Sequence, residues 1–575
     1  MGRYRWMPDH PRADSSELDF FRFPTDELAD RRGRGRSKKV CVLGGGIAGL
    51  VAAYELQRAG HAVVLVEADK GRVGGRIRTW HVGKVSGEFG PMRIPPRHEG
   101  TMHYVVDEFN LDRGDFIQHN ADGWLLMRDG KERISDWRNL IPRYGDDPRY
   151  LFPARALEKG ETDPEQILSS VLSFAKAKLQ IDELWSVFNG GLGPAARALA
   201  SITLWQLAQG MFEDLSGWAG PWAGTIPGAP QRSPSTPPLR WFTPAGWELI
   251  GRATGALWEE RVSALEACIE DLWVRGAPRI RLTKGMDDLP RRLARRLRAR
   301  GCDIRLGVTV TRVAVEAWAD HVRVFSSDGE ILTEGASAFD YVICAVPASA
   351  TARIEFVPAL SPHKYEALTN LTYIAAAKSL VLVRERRWEI DDRIFGGASY
   401  TDLPFQQCWY PADNAKADPD ALLRPTRARD GGPGPQVDTS PSRFVAVSEE
   451  RSREPAILTA AYMSGINAER FTSLSKQARD DEIERYLERL HPGIGADIDD
   501  IQHWCWIEER TPGGGAWTYL GPGAHERYQD VLCEPHPAVE HRVFFAGEHL
   551  CVLHGWMQSA IQSALEAAMG VMDAP

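Results

Sequence analysis

The feature that most constrains the fold is a run of glycines between two apolar segments, CVLGGGIAGLVAAYEL. The residues before the glycines are typical of a buried strand, those after them of a helix, and HAVVLVEA of a second buried strand. Gly44, Gly46 and Gly49 satisfy G-x-G-x-x-G, where absent side chains permit a tight turn, close approach of a pyrophosphate and close helix packing. Glu67 ends the second strand, where a carboxylate can accept hydrogen bonds from a ribose hydroxyl. The pattern predicts a dinucleotide site and leaves FAD and NAD open.

The size and charge of the chain limit its domain number and its partners. At 575 residues it exceeds the size at which one core stops growing, so two or three domains are expected. A net charge of -9 argues against nucleic acid as the main partner and favours a small molecule. There is no apolar run of about 18 residues and no export-signal layout, so we expect a cytoplasmic protein that does not enter membranes.

The cysteines and histidines do not indicate a metal site. The eight cysteines are scattered without a C-x-x-C pair, which favours free thiols over zinc or a disulfide framework. His549 and His554 lack a third ligand at suitable spacing, so no metal is predicted.

Apolar periodicity divides the chain into segments of the α/β class, α+β overall. Residues 38–98, 276–356 and 539–575 have alternating strand and helix patterns, and they are predicted to form one discontinuous Rossmann-like domain. Residues 1–37 are polar and are predicted to be an arm on the surface.

The remaining segments are predicted to lie outside that domain. Residues 99–275 are mainly helical in spacing. Residues 357–538 are predicted to contain strands of another sheet, with 412–443 a Pro/Gly-rich loop insertion.

A second glycine motif separates the two cofactors. GRVGGRIRT places Arg76 just past the second strand, where a guanidinium can meet the pyrophosphate from the other side. With this R-x-G-G-R element, Arg72 to Arg76, the chain resembles the flavin-containing amine oxidase superfamily, and the resemblance implies FAD. It also implies that residues 357–538 form a substrate-binding domain with a mixed sheet and that residues 99–275 carry part of it. It also implies further cofactor contacts at Ile47, Ala48, Ala68, Gly90, Met92, Arg93, Val310, Trp506, Gly547, Glu548, Gly555, Trp556 and Met557.

The segment EFGPMRIPP surrounds Arg93 with prolines, which hold the cation on a stiff, mostly extended backbone. It resembles the G-P/A-M-R-x-P motif of L-amino acid oxidases and related amino acid monooxygenases, which implies that Arg93 binds the substrate carboxylate. A surface arginine in a Pro-rich turn is the alternative interpretation.

Two more residues are implied to act beside Arg93. In CWYPADN the tyrosine before proline, Tyr410, resembles one that gives its hydroxyl to the same carboxylate, although Trp409 and Tyr410 could also fill a core. Lys378 in AAAKSLVLV resembles a family lysine that holds a water near flavin N5, although a lysine snorkelling from a strand end is the alternative. The resemblance thus implies that Arg93 and Tyr410 orient the substrate Cα–H toward N5.

The C-terminal segment FFAGEHLCVLHGWMQSAIQSALEAA carries the third match. Gly547 and Glu548 resemble a contact to the flavin ribityl chain and phosphate, and the helix starting near Gly555 directs its amides at the flavin. Trp556 resembles an aromatic wall beside the substrate, and Trp506 either another flavin-side tryptophan or a core residue.

These resemblances predict an FAD-dependent L-amino acid oxidase that uses O2 and yields a 2-oxo acid, ammonia and hydrogen peroxide. The same scaffold is compatible with an amino acid 2-monooxygenase that yields an amide, and a flavin-binding or redox-sensing protein without turnover is a third hypothesis. We also expect a homodimer or a higher homo-oligomer.

The substrate side chain is constrained by few residues. Some L-amino acid oxidases carry a histidine near the position of LEACIEDLW, where this chain offers Glu270 and Asp271; these acids can select a cationic side chain. Trp409, Trp506 and Trp556 can bound a large one. We therefore expect a large side chain, basic ahead of aromatic.

Overall fold

The computed structural model describes residues 23–145, 191–209, 242–274, 278–315, 321–330, 338–418, 443–509 and 514–575, with isolated positions between 164 and 187. Most of the predicted arm, much of the predicted mainly helical segment 99–275 and most of the 412–443 insertion lie outside these residues.

A parallel five-stranded sheet forms one layer of the core. Val42 pairs with Leu65 on one side and with Ile343 on the other, and every pairing in the sheet is parallel. Its continuous apolar strands are typical of a sheet covered on both faces. The strands come from distant parts of the chain, which confirms the expected discontinuous α/β arrangement, in the spatial order Val543–Phe545, Tyr341–Cys344, Lys39–Leu43, Ala62–Glu67 and Asp303–Leu306.

Two helices, Ile47–Arg58 and Met557–Asp573, pack against each other beside this sheet. The Lys38 ammonium donates hydrogen bonds to the carbonyls of Val571 and Met572, at 2.7 and 3.1 Å, and so satisfies the last turn of the C-terminal helix. These two helices, about 500 residues apart in the sequence, therefore share one layer.

Part of the predicted surface arm is packed instead of lying free. Thr25–Arg31 is a helix whose Leu28 is fully buried. Arg31 pairs with Asp573 of the C-terminal helix at 2.8 Å. The arm prediction missed this helix because its single buried residue gives no apolar periodicity.

A seven-stranded mixed sheet forms the second unit, as expected. It is antiparallel except where Trp124–Met127 pairs in parallel with Ala398–Thr401, so part of the segment 99–275, predicted to be mainly helical, joins it. The remaining strands of this sheet, in spatial order before these two, are Ile498–Cys505, Ala376–Val383, Ala456–Ser464 and Gln407–Trp409, with Gly130–Arg133 at the far edge.

Smaller elements complete the described chain. The other strands are Thr79–Val82, Val85–Glu88, Arg113–Phe116, Arg279–Leu282, Val310–Val315, Val322–Ser326, Gly329–Glu330, Glu355–Val357, Thr372–Tyr373, Ala415–Ala417, Phe444–Ala446 and Thr518–Tyr519. The other α-helices are Glu99–Met102, Pro194–Ala200, Leu204–Ala208, Pro244–Ala253, Ala264–Trp273, Asp288–Ala299, Ala348–Thr351, Pro362–Asn370, Arg387–Ile390, Ile466–Thr472, Lys476–Leu490 and Ala524–Cys533. The π-helix is His103–Glu108, and the 3-10 helices are Ile134–Arg143, Leu257–Arg261, Arg451–Arg453, Ile494–Asp497 and Glu548–Leu550. Among the described helices, none combines the length and the apolar character needed to cross a membrane.

Candidate active site

A cavity of about 450 Å³ opens at the carboxyl ends of the parallel strands. Ligands of such sheets bind at this edge, and the volume lies within the usual range for small-molecule sites. Its walls are the segments that follow the strands, namely the glycine turn, Glu67–Asp69, Ala345–Pro347 and Gly547–His549.

The glycine turn needs its missing side chains for different reasons. Gly44 has φ 98°, and a Cβ there would lie 2.8 Å from the Ala345 carbonyl oxygen. A Cβ on Gly49 would lie 1.9 Å from the Gly44 carbonyl oxygen, so Gly49 serves helix packing and does not line the cavity. Gly46 lines the cavity and has nothing within 4 Å of its Cβ position, which leaves room for a ligand.

The Glu67 side chain borders the cavity at the end of the second strand. One carboxylate oxygen accepts the Gly45 N–H at 2.6 Å and the other accepts the Asp69 N–H at 2.8 Å. Burial raises the pKa of this carboxyl, while the two N–H donors lower it. Each oxygen keeps a further lone pair, as a ribose acceptor requires.

Arg76 and Glu548, both predicted cofactor contacts, line the cavity and pair with each other at 2.7 Å. Glu548 also accepts the N–H groups of Thr518 and Gly555, at 3.2 and 3.1 Å. Burial would raise the pKa of the Glu548 carboxyl, but the Arg76 and His554 side chains lower it below its ordinary value. The pair fixes the C-terminal loop against the R-x-G-G-R element.

His549 provides a test of whether the cavity fits a dinucleotide. Its Nδ1 is buried at the cavity wall and has no hydrogen-bond partner among the described residues. Burial lowers its pKa to about 3, so the ring is neutral. An unpaired buried polar atom is costly, and a ligand with polar oxygens would satisfy it. This unpaired nitrogen, the open space beside Gly46 and the N-terminus of the helix Ile47–Arg58, which begins at the cavity wall, fit FAD.

The other predicted cofactor residues fall on one of two cavities. The large cavity is lined by Ile47, Ala48, Ala68, Gly90, Val310, Trp506, Gly547, Gly555, Trp556 and Met557. Met92 and Arg93, predicted to touch the flavin, line instead a second cavity of about 170 Å³. The two cavities share walls at Gly90, Pro91, Lys378, Tyr462, Trp517, Gly555, Trp556 and Met557. They therefore form one continuous site.

The Arg93 guanidinium lies among aromatic rings in the second cavity. Its carbon is 5.3 Å from the centre of the Trp409 ring, 5.8 Å from Phe116 and 6.0 Å from Trp556. Its hydrogen-bond partner among the described residues is the Gln118 side-chain oxygen, at 2.7 Å. Most of its five N–H donors remain open to an anion.

Tyr410 does not reach this cavity, so its assignment to the carboxylate is wrong. Its hydroxyl lies 2.6 Å from Ser399 Oγ and 2.9 Å from His491 Nε2 and lines neither cavity. Successive residues of an extended chain point to opposite faces, and Trp409 takes the cavity side.

Lys378 is buried where the cavities meet. Its ammonium donates hydrogen bonds to the carbonyls of Glu88 and Gly90, at 3.2 and 2.7 Å, which belong to the segment that carries Arg93. Burial lowers the pKa of Lys378 to about 7, with Glu88 raising it and Arg93 lowering it further. Burial likewise raises the pKa of Glu88 to about 8.

Of the two acids predicted to face the substrate, one lines the second cavity and the other does not. Glu270 lines the second cavity and accepts the indole N–H of Trp556 at 2.9 Å. Asp271 is buried and lines neither described cavity, because neighbouring residues of the helix Ala264–Trp273 point in different directions. The second cavity is also lined by residues that no sequence motif marked, among them Gln118, Glu165, Glu259, Tyr462 and Trp517. Of these five, only Trp517 lies beside a recognisable sequence pattern, the run of glycines before it.

Comparisons with known proteins agree with this geometry. Residues 47–572 match the model of the family described as flavin containing amine oxidoreductase. The L-amino-acid oxidase of Crotalus adamanteus is 25% identical over 543 residues, covering 93% of this chain and 87% of that protein. That of Vipera ammodytes ammodytes is 26% identical over 545 residues, covering 93% and 92%. The solved cyclohexylamine oxidase of Brevibacterium oxydans shares the fold, with a TM-score of 0.62 and 18% identity over 94% of this chain and 99% of its own. The chain therefore belongs to the flavin-containing amine oxidoreductase family and is an FAD-dependent enzyme that acts on amines or amino acids.

Proposed function

We propose that this protein is an L-amino acid oxidase. The reaction consumes an L-amino acid, O2 and water and yields a 2-oxo acid, ammonia and hydrogen peroxide. The observation that carries the proposal is the Arg93 guanidinium, held in the second cavity next to the walls shared with the dinucleotide cavity. A simple amine has no group that needs such a cation, whereas an amino acid carboxylate does. The similarity to L-amino-acid oxidases over most of the chain supports the same substrate class.

Substrate orientation follows from where the cation sits. A carboxylate bound at Arg93 would leave Cα beside the shared walls, where Gly555 and Trp556 begin the C-terminal helix. Bound FAD supplies the two-electron acceptor for the Cα–H bond, and O2 reoxidises it. Holding the reacting carbon against the acceptor removes an entropic cost from the reaction.

Lys378 suits the role of a proton-handling residue at the shared wall. Its ammonium is fixed by two backbone carbonyls, and its pKa near 7 lets it exchange a proton at physiological pH. We propose that it holds the water used in imine hydrolysis or assists reoxidation by O2.

The preferred side chain is proposed to be large, with basic ahead of aromatic. Trp409 and Trp556 provide aromatic walls for the second cavity. Glu165, Glu259 and Glu270 give it carboxylates, which favour a cationic group in a partly desolvated site.

The test is to add each of the twenty L-amino acids to the purified flavoprotein under air and to follow peroxide, ammonia and the organic product. We expect peroxide and 2-oxo acid in equal amounts, fastest with arginine or lysine. An amide product without peroxide would make the protein a 2-monooxygenase. A flavin that no amino acid bleaches would remove the amino acid assignment.

A further inference from the structure

The helix Ala264–Trp273 carries two carboxylates that hold the segment leading into the C-terminal helix. Glu266 and Glu270 lie one turn apart, so they share a face of this helix. Glu266 Oε1 lies 3.0 Å from His554 Nδ1, and Glu270 accepts the indole N–H of Trp556 at 2.9 Å. One helix face therefore fixes two side chains of a single short segment at the substrate cavity.

His554 lines the second cavity, and Glu266, which is buried and lines neither described cavity, holds it from outside. The other Glu266 oxygen accepts the Leu520 N–H at 2.5 Å, which fixes the carboxylate. Because a carboxylate only accepts hydrogen bonds, its contact places the ring hydrogen on Nδ1 and makes Nε2 the acceptor nitrogen of His554. A histidine held in this way is suited to take up a proton.

A second histidine of this cavity, His98, is less suited to accept a proton. Burial, with a further contribution from the Arg279 cation, lowers its pKa to about 3. His554 instead has carboxylates near it, and these favour a positively charged ring. The charged and titratable groups near it are Glu266 and Glu270 on the helix, Glu548 and His549 on the preceding segment, His525 beyond Glu266, and Arg93 and Lys378 in the same cavity.

The substrate class under the proposed function has a proton to lose at this wall. An amino acid carries an ammonium group at neutral pH. The nitrogen must regain its lone pair before hydride leaves Cα, because that pair forms the C=N bond of the imine. With the carboxylate at Arg93, Cα and its ammonium would lie beside Gly555 and Trp556, which directly follow His554 in the chain.

We propose that His554 Nε2 accepts the ammonium proton of the bound amino acid, and that Glu266 is the positioning residue that orients the ring. This role rests on the proposed function. The substrate N–H bond breaks, the proton bonds to Nε2, and the Glu266 carboxylate stabilises the imidazolium that results. The neutral amine keeps the lone pair that enters the imine, and the two electrons of the Cα–H bond go to the flavin acceptor.

The test follows reduction of the FAD-loaded protein by its best amino acid, without oxygen and across a range of pH, in a stopped-flow instrument. At about pH 7 the flavin of His554→Gln should be reduced about a hundredfold more slowly than that of the wild type, the usual size of a general-base effect. The loss should shrink as pH rises, because a substrate amine that is already neutral needs no acceptor. A loss caused by a distorted fold would persist at every pH.

Two further variants make the comparison specific. Glu266→Gln keeps an oxygen that can accept the Nδ1 hydrogen but removes the charge, so its rate should fall between those of the wild type and His554→Gln, with the same recovery at high pH. The matched control is His503→Gln. His503 also contacts a carboxylate, that of Asp480 at 2.8 Å, but lines neither described cavity, so this variant should keep the wild-type profile.

A wild-type pH profile of flavin reduction in His554→Gln would overturn the inference, as would a loss that high pH does not reduce. If His554→Gln does not retain FAD, Glu266→Gln decides on the same readouts. Slowed reduction that recovers at high pH supports the inference there, and either a wild-type profile or a loss independent of pH contradicts it. A wild-type flavin that no amino acid reduces would instead remove the proposed function, whatever the variants do.

Discussion

At the scale of single residues, the proposed amino acid substrate depends on Arg93. Its guanidinium has one described hydrogen-bond partner, Gln118, and its carbon lies 5.3 Å from the centre of the Trp409 ring. Arg93→Ala should lower kcat/KM for the best amino acid by about a hundredfold, since a charge-assisted bond to carboxylate is lost. Steady-state kinetics check this.

The control for Arg93 is its exposed neighbour. Arg97 is solvent-exposed and lies four positions further along the chain. Arg97→Ala removes the same charge and should leave kcat/KM unchanged. If Arg93→Ala retained wild-type kcat/KM, or if both variants lost equally, the carboxylate role would be refuted.

We predict that Lys378 makes the reaction with oxygen depend on pH. Burial puts its pKa at about 7, so the side chain is cationic below that pH and neutral above it. O2 gains negative charge as it is reduced, and a nearby cation stabilises that charge. The rate of flavin reoxidation should therefore fall as pH rises through about 7.

Stopped-flow reoxidation of the substrate-reduced protein between about pH 5.5 and 9 measures this dependence. In Lys378→Met the rate should be low and without an inflection near pH 7. An inflection that persists in Lys378→Met would assign the titration to another group.

At the scale of elements, two glycines at the glycine turn are expected to serve different purposes, Gly49 in folding and Gly46 in cofactor binding. A methyl on Gly49 would collide with the Gly44 carbonyl, whereas one on Gly46 meets open space and its φ of -69° suits alanine. Gly49→Ala should lower the free energy of unfolding by about 1–3 kcal/mol with FAD in excess. Gly46→Ala should fold normally but lose FAD.

Two measurements distinguish the variants: thermal unfolding with FAD in excess, and FAD content per chain after extensive dialysis. Each serves as the control for the other. If Gly46→Ala kept its full FAD content, the pyrophosphate would not lie against this turn.

The elements also show what the sequence could predict. The strand, glycine turn and helix at residues 39–58 follow from local periodicity and are found as expected. The orientation of Tyr410 did not follow, because a shift of one residue along an extended segment exchanges its two faces. Glu270 and Asp271 pose the same problem on a helix, where only packing decides which one meets the cavity.

At the scale of the whole molecule, the site depends on contacts between distant parts of the chain. Lys378 of the mixed sheet binds the carbonyl of Gly90, and Arg76 binds Glu548. Motifs marked these residues singly, but no local pattern predicts that Tyr462 and Arg93 line one cavity. Such pairings arise from the packing of the two sheets, which single-sequence periodicity does not encode.

The central claim is that this protein oxidises an amino acid that it binds through the carboxylate, and product analysis tests this claim most directly. The purified flavoprotein is mixed with arginine, lysine and phenylalanine, and in parallel with the amines that lack the carboxylate. We predict equal amounts of 2-oxo acid, ammonia and peroxide from an amino acid, and turnover of the matching amine that is at least about a hundredfold slower. Equal turnover of the amine, or an amide product, would contradict the account.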